Sequence, residues 1–539
     1  MSAGQLLQQN RELAPVAPIL PEATREPLPA ELKPLEPKPG QMTFVVQQFV
    51  FVGNSKMSDE QLQGLVKDLL NKPITFDDLR LATDVVTEFY RERGWLVRAI
   101  LPQQDITEGT VTIRVIEARL GGIRIDNRSE HVTDERIASW VHARVAQAAE
   151  LSLDQLDHAL LTLNDSPDIA VNHTLQEGDK PGETLLLLTV DDKPRLDGMV
   201  SMDSFGDNNS GKVRTSALLN VNGALGMGDQ LALFGMYSEG TSYVRFSFTA
   251  PVGSKGLRAG VNGSSMTYRV LNQSFQSLNA NGYANTGGLE ATYPILRSRP
   301  ANLMTTFNWN YSQFKNWTLN GLNTDQTYDT SVGQIGLTGN LLDNWGGGGL
   351  NVGSLVASMG NINRDGGGTY NTNYGAAGSF AKLRYGYNRT QAVNGTLSAY
   401  VSVSGQLASK NMDSSEQLYL GGPTSVRAYG AGQGASSQGN LASVELRQSL
   451  SYQTVLAAFY DLGNVQTWKS NNLSVNAVDN YYVLQGLGAS LSWMGPQGLN
   501  LKATWAHRTG ALSPSVANQL SQNGGTSLNR LWLNASLSF

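Results

Sequence analysis

The sequence predicts two small α+β modules followed by an antiparallel sixteen-stranded transmembrane β-barrel. Three observations carry this. The chain ends Arg530-Leu-Trp-Leu-Asn-Ala-Ser-Leu-Ser-Phe539, with Leu531, Leu533, Ala535, Leu537 and Phe539 on one face of a strand and Trp532, Asn534, Ser536 and Ser538 on the other. Asp, Glu, Lys and Arg number 49 in residues 1–193 but 36 in residues 194–539, about 25% against about 10%. No apolar run reaches the roughly 20 residues of a membrane helix, so a membrane reading requires a closed barrel.

At 539 residues the chain exceeds one core, and the drop in charge near Asp192-Lys193-Pro194 sets the main boundary. The net charge of −5 is mild and argues against a nucleic-acid partner. The absence of cysteine excludes disulfides, thiolate metal sites and cysteine nucleophiles. No basic region followed by an apolar stretch opens the chain, so the expectation is a mature form carrying an added Met1.

Residues 3–13 read as a short helix, the core of an N-terminal segment 1–13. Residues 14–41 form a linker in which eight of the nineteen prolines fall (15, 18, 21, 27, 29, 34, 37 and 39). Such density gives an extended spacer or a disordered tail. Residues 42–118 read β-α-α-β-β: a strand over Thr43–Val52, helices over Asp59–Leu70 (Ser58 as cap) and Phe76–Arg91, then strands over Trp95–Leu101 and Thr110–Ile116. Residues 119–193 repeat this order, with a strand at Ile123–Ile125, helices over Thr133–Val145 and Ser152–Leu163, and strands over Ala170–Gln176 and Thr184–Val190. Two successive modules with one element order constitute an internal repeat.

Residues 194–539 contain sixteen strand candidates, near 195–206, 212–222, 230–238, 241–251, 257–270, 279–294, 301–317, 328–341, 348–362, 376–391, 394–408, 440–451, 455–465, 480–494, 498–509 and 529–539. Val244, Phe246, Phe248 and Ala250 oppose polar neighbours, as do Leu499, Leu501, Ala503 and Trp505. An even count suits a bacterial barrel with both termini on the periplasmic side. A soluble β-sandwich is the alternative, and it needs a charged exterior that this half lacks.

The longest gap between strands, 409–439, contains Gly421-Gly-Pro-Thr-Ser-Val-Arg-Ala-Tyr-Gly430. Two strands on, Phe459-Tyr-Asp-Leu-Gly463 puts Phe459, Asp461 and Gly463 on the lumen face, and Leu456, Ala458, Tyr460 and Leu462 toward lipid. An inward carboxylate in a charge-poor barrel invites a cation, and Arg427 fits by its bidentate grip. Gly463 leaves room for a loop folded back into the lumen. An ordinary surface loop with a solvated aspartate is the alternative on spacing alone. Gly430-Ala-Gly-Gln-Gly434 has no strand–loop–helix setting for a phosphate. No His-Glu-x-x-His or Gly-x-Ser-x-Gly occurs, and the five histidines (131, 142, 158, 173, 507) are scattered surface or packing residues, so no enzyme, metal or cofactor is expected.

With these residues in place, the chain resembles the outer-membrane transporters of two-partner secretion, the TpsB family, over nearly its whole length. Val426-Arg427-Ala428-Tyr429 resembles the family's Val-Arg-Gly-Tyr/Phe loop motif between strands eleven and twelve, with Ala428 in place of the usual glycine. Phe459, Asp461 and Gly463 match its Phe-x-Asp-x-Gly motif on strand thirteen. Gly94 to Asp105, with Pro102-Gln103-Gln104, resembles the end of its first POTRA module, and Asn220 to Asp229 an early periplasmic turn. The resemblance implies POTRA 1 at 42–118, POTRA 2 at 119–193 and the barrel at 194–539, with 409–439 folded into the lumen and residues 1–13 as a plug. It implies a channel that secretes a TpsA-type exoprotein (adhesin, haemolysin or contact-dependent inhibition toxin) without nucleotide, and not an enzyme. The exoprotein's N-terminal region would dock within 42–192 by strand addition, at residues the sequence does not single out. The expected setting is the outer membrane of a Gram-negative bacterium, against lipid and lipopolysaccharide, as a monomer. A barrel insertase of the same superfamily and a passive porin are the rival readings.

Overall fold

A computed structural model describes residues 2–11 and 42–539, apart from 107, 147–149, 181, 227, 273–278, 319–322, 365–374, 471–478, 523–524 and 526. The proline-rich segment lies outside the described residues. Helix α1 spans Ala3–Arg11.

In the first module, strand Gln48–Val52 runs parallel to Thr110–Glu117, with Val97–Ile100 antiparallel on the other side. Helices α2 (Asp59–Val66) and α3 (Phe76–Glu92) cover the sheet. Ser58 with Gln61 and Thr75 with Asp78 form capping boxes that satisfy the first free amides of each helix. Phe49, Leu62, Val86, Tyr90 and Ile113 fill the core. The expected single strand Thr43–Val52 is in fact two. Phe44–Val45 pairs with Pro73–Ile74, then the chain changes partner: Val46 O accepts from Asn71 N at 2.8 Å and Gln47 N donates to Gly109 O at 2.7 Å. The helix expected to reach Leu70 ends at Val66 and tightens into a 3-10 turn, Lys67–Leu69.

The second module repeats this plan. Strand Arg119–Asn127 is parallel to Glu183–Asp192, which pairs antiparallel with Ile169–Glu177. Helices α4 (Asp134–His142, shorter than Thr133–Val145) and α5 (Leu153–Asn164) pack on it, capped by Thr133 and Ser152.

Sixteen strands close the barrel: β1 (Leu196–Asp203), β2 (Arg214–Asn222), β3 (Gln230–Ser238), β4 (Thr241–Pro251), β5 (Arg258–Arg269), β6 (Asn281–Arg297), β7 (Ala301–Thr318), β8 (Asn323–Asp343), β9 (Gly349–Arg364), β10 (Gly378–Ala392), β11 (Leu397–Ala408), β12 (Gln438–Ser449), β13 (Thr454–Gln466), β14 (Tyr481–Met494), β15 (Leu499–Thr509) and β16 (Asn529–Ser538). Each pairs antiparallel with its neighbour, and β16 closes on β1 from Asn534↔Asp203 to Ser538↔Met199. Period-two alternation sets the faces. Leu531, Leu533 and Leu537 are exposed to the lipid side, whereas Trp532 is buried inside. Closure leaves no unpaired sheet edge in lipid.

The second module sits against the periplasmic turns. Arg297, at the end of β6, grips Asp165 with Nε–Oδ2 2.8 Å and Nη2–Oδ1 2.9 Å. Gly228 N, in the β2–β3 turn, donates to Asp168 Oδ2 at 3.0 Å, and Arg144 Nη2 donates to the Tyr293 hydroxyl at 3.0 Å.

Among the described residues, three pieces pack inside the barrel. Helix α1 lies against β5, β6 and β7, burying Ala3, Leu6 and Leu7. Ala3 N donates to Asn316 Oδ1 at 2.9 Å near the outer end of β7, and Arg11 Nη2 reaches Thr286 and Ser312 lower down. The β11–β12 loop fills the opposite side and carries a short hairpin, Leu418–Tyr419 with Ala435–Ser436. Helix α6 (Pro514–Gln522), in the β15–β16 loop, inserts Val516 and Leu520 from the outer side.

Candidate functional site: the lumen loop and its wall

The loop enters from the outer end of β11 and its tip reaches the middle of β13. There the Asp461 carboxylate, fully buried, receives three bonds from one residue: Arg427 Nε to Oδ2 at 2.8 Å, Arg427 Nη2 to Oδ1 at 2.7 Å and Arg427 N to Oδ2 at 3.1 Å. The fork matches the carboxylate in plane, as a lysine ammonium cannot. The remaining nitrogen is also held, with Nη1 to Glu445 Oε1 at 2.6 Å. Ser443 Oγ bridges, donating to Asp461 Oδ1 at 2.7 Å and accepting from Arg427 Nη2 at 3.0 Å. The Arg427 guanidinium carbon stands 3.3 Å from the Phe459 ring centroid, so ring and carboxylate on the same strand face hold one cation. Trp532 Nε1 donates to Arg427 O at 2.7 Å, tying the tip to the last strand.

Steric fit adds to these bonds. A Cβ on Gly463 would lie 2.8 Å from Val426 Cγ2, and one on Gly488 would lie 2.5 Å from Phe459 Cζ. Gly463 therefore leaves room for the tip, and Gly488 for the Phe459 ring that faces Arg427. Ala428 is fully buried, and it is not among the residues with positive φ, so alanine adopts this backbone without strain. Tyr429 is buried under Arg508, whose guanidinium carbon stands 4.5 Å from its ring. The expected Val426–Tyr429 loop motif and the Phe459, Asp461, Gly463 strand motif thus meet at one place.

Sequence reasoning missed Glu445, Ser443 and Trp532, which come from the neighbouring and the last strand. It also missed Gln433. Gln433 Oε1 accepts from Gly430 N at 2.7 Å while its Nε2 donates to Leu520 O at 2.8 Å, so the loop is tied to α6. The Gly430–Gly434 run does not cradle a phosphate: Gly432 faces Gln5 and Gln9 of α1, and Gly434 faces Leu420 and Leu484. Among the described residues, no cluster of His, Cys, Asp and Glu is placed to hold a metal ion.

A closed barrel with two N-terminal modules and a loop pinned in its lumen is the build of an outer-membrane protein transporter. The chain belongs to the family "Haemolysin secretion/activation protein ShlB/FhaC/HecB", whose model matches residues 182–491, and an ShlB-type POTRA model matches residues 44–118. It is therefore a TpsB-type outer-membrane secretion channel for a partner protein, with its POTRA modules in the periplasm. It is similar to the heme/hemopexin transporter protein HuxB of Haemophilus influenzae (strain 86-028NP), 27% identical over 517 residues, covering 91% of this chain and 88% of that protein. The outer membrane transporter CdiB of Escherichia coli O6:K15:H31 (strain 536 / UPEC) is 27% identical over 188 residues, 34% of this chain and 31% of CdiB. Among solved structures, CdiB from Escherichia coli shares the fold with a TM-score of 0.69 at 19% identity, covering 95% of this chain and 94% of that one. CdiB from Acinetobacter baumannii does so with 0.65 at 16%, covering 99% and 97%.

Proposed function

We propose that the chain moves an unfolded TpsA-type exoprotein from the periplasm through its lumen, and that Arg427–Asp461 holds the loop tip in its working seat. The exoprotein's N-terminal region docks on the POTRA modules within 42–192, where open sheet edges offer backbone groups for strand addition. Helix α1 is the plug: it fills the lumen beside β5–β7 and must move before a chain can pass. No nucleotide drives the step; folding of the exoprotein outside supplies the direction. The barrel works as a monomer against outer-membrane lipid and lipopolysaccharide, and it does no covalent chemistry.

The buried Arg427–Asp461 fork carries this reading. Taking two charges out of water into a closed site is costly, and an ordinary surface loop has no use for it. The test is co-expression with a candidate TpsA-type exoprotein. Exoprotein in the medium only when the intact chain is present supports secretion. Equal release without the chain contradicts it. Loss of many unrelated outer-membrane proteins on depletion would instead favour an insertase.

A further inference from the structure

The loop is fastened at a second place, at its root rather than at its tip. Its descending limb, Asn411–Tyr419, passes the outer ends of β10 and β11. There Lys382 Nζ pairs with Glu416 Oε2 at 2.6 Å and also donates to Glu416 O at 3.0 Å. Both side chains are almost fully buried, at 2% and 6% exposure. The wall grips the backbone as well: Arg384 Nη2 donates to Gln417 O at 3.0 Å, and Gln406 Nε2 reaches Glu416 O at 3.1 Å and Ser437 O at 3.0 Å. Gln406 thus holds both limbs of the loop at its root.

The same limb is what α1 leans on. Ser2 Oγ and Ser414 Oγ are 2.8 Å apart, and a Cβ on Gly4 would lie 2.9 Å from Ser414 Oγ. Tyr328, on the wall, donates to Asp413 Oδ1 at 3.1 Å and lies against Gly4 too. Helix, limb and wall are one packed unit at the outer mouth.

We propose that Lys382 and Glu416 are positioning residues that lock the loop's root, and through Ser414 the seat of α1, independently of the Arg427–Asp461 seat at the tip. This rests on the reading of α1 as a plug. The choice of an ion pair over an apolar contact is physical. Two buried charges are no tighter than a well-packed apolar pair, but once water enters the lumen each regains its hydration, so the lock releases when the plug leaves. Breaking it leaves the tip seated and the mouth loose.

The test uses the full chain, which has no cysteine, so an introduced pair has no background. Ser2→Cys with Ser414→Cys is oxidised in membranes, and single-channel conductance is read in planar lipid bilayers, in three backgrounds: unaltered, Glu416→Gln, and the swap Lys382→Glu with Glu416→Lys. Heat-modifiable migration of the folded barrel is the control. The expected result is a cross-link that falls and an open probability that rises about tenfold in Glu416→Gln, both returning toward the unaltered values in the swap, with secretion retained. Cross-linking and conductance unchanged in Glu416→Gln would overturn the proposal. Full secretion by Arg427 and Asp461 variants would instead strike the tip reading, and the cross-link would not depend on it.

Discussion

Ala428 and Gly486 are complementary: a Cβ placed on Gly486 of β14 would collide with the Ala428 methyl. The position where this chain departs from the usual glycine is matched by an opposite wall residue with no side chain. The fit here is tight, with the methyl supplied by the loop.

A substitution test follows from that pair. Gly486→Ala should unseat the tip and abolish secretion while the barrel still inserts, because overpacking a closed site costs roughly 1–3 kcal/mol. Ala428→Gly should be tolerated. The double variant should recover secretion, since the methyl has only changed sides. Secretion by Gly486→Ala at the unaltered level would show that the groove is not this tight.

Arg427→Lys tests geometry apart from charge. Lysine keeps one cation but not the planar fork that serves Asp461 and Glu445 together. Secretion should fall well below the unaltered level. Stability in a thermal melt should fall less than with Arg427→Ala, which leaves Asp461 buried without its partner, a loss of about 3–5 kcal/mol.

The joint between the second POTRA module and the barrel should weaken in acid. Burial, with Arg144 and Arg297 nearby, pushes the His158 imidazole down to about 4 from its usual 6.5. Its folded form therefore resists the proton that the unfolded form accepts. Stability is unaffected by this group above pH 6.5 and falls as pH drops from 6.5 toward 4. Limited proteolysis of the module across that window measures it. His158→Asn should flatten the dependence, and an unchanged profile would remove His158 from the account.

Helix α6 should act as an outer lid on the loop. Leu520→Asp places a charge among Val426, Tyr429 and Leu484, and Gln433→Ala cuts the bond to Leu520 O. Each should raise conductance in bilayers, Leu520→Asp the more because a buried carboxylate lacks a partner there. Conductance equal to the unaltered channel in both would leave α6 as a bystander.

All sixteen strands were legible because each exposes one face to lipid and one to the lumen, and the period of two survives in residues such as Leu531 to Phe539. The repeat of the modules was legible from helical spacing and caps such as Ser58. The split at Val46 was not, since a change of hydrogen-bond partner inside an apolar run leaves no mark in the pattern. Helix α6 was missed because its nine residues carry apolar anchors mainly at Val516 and Leu520, too few to stand out. Charge scarcity and a lumen-facing strand position made Arg427 a fitting partner for Asp461, and the resemblance to the TpsB loop and strand motifs decided for that pairing over a solvated aspartate. Lys382–Glu416 and the Trp532 bond to Arg427 O depend on how distant strands close, which local spacing does not encode.

The central claim is that the seated loop tip, held by Arg427 and Asp461, is required for secretion. The most direct measurement is the amount of exoprotein in the medium from cells carrying the unaltered chain, Arg427→Ala or Asp461→Ala, with heat-modifiable migration confirming that each barrel is folded in the outer membrane. Exoprotein is expected in the medium with the unaltered chain and none with either variant. Full secretion by both folded variants would contradict it.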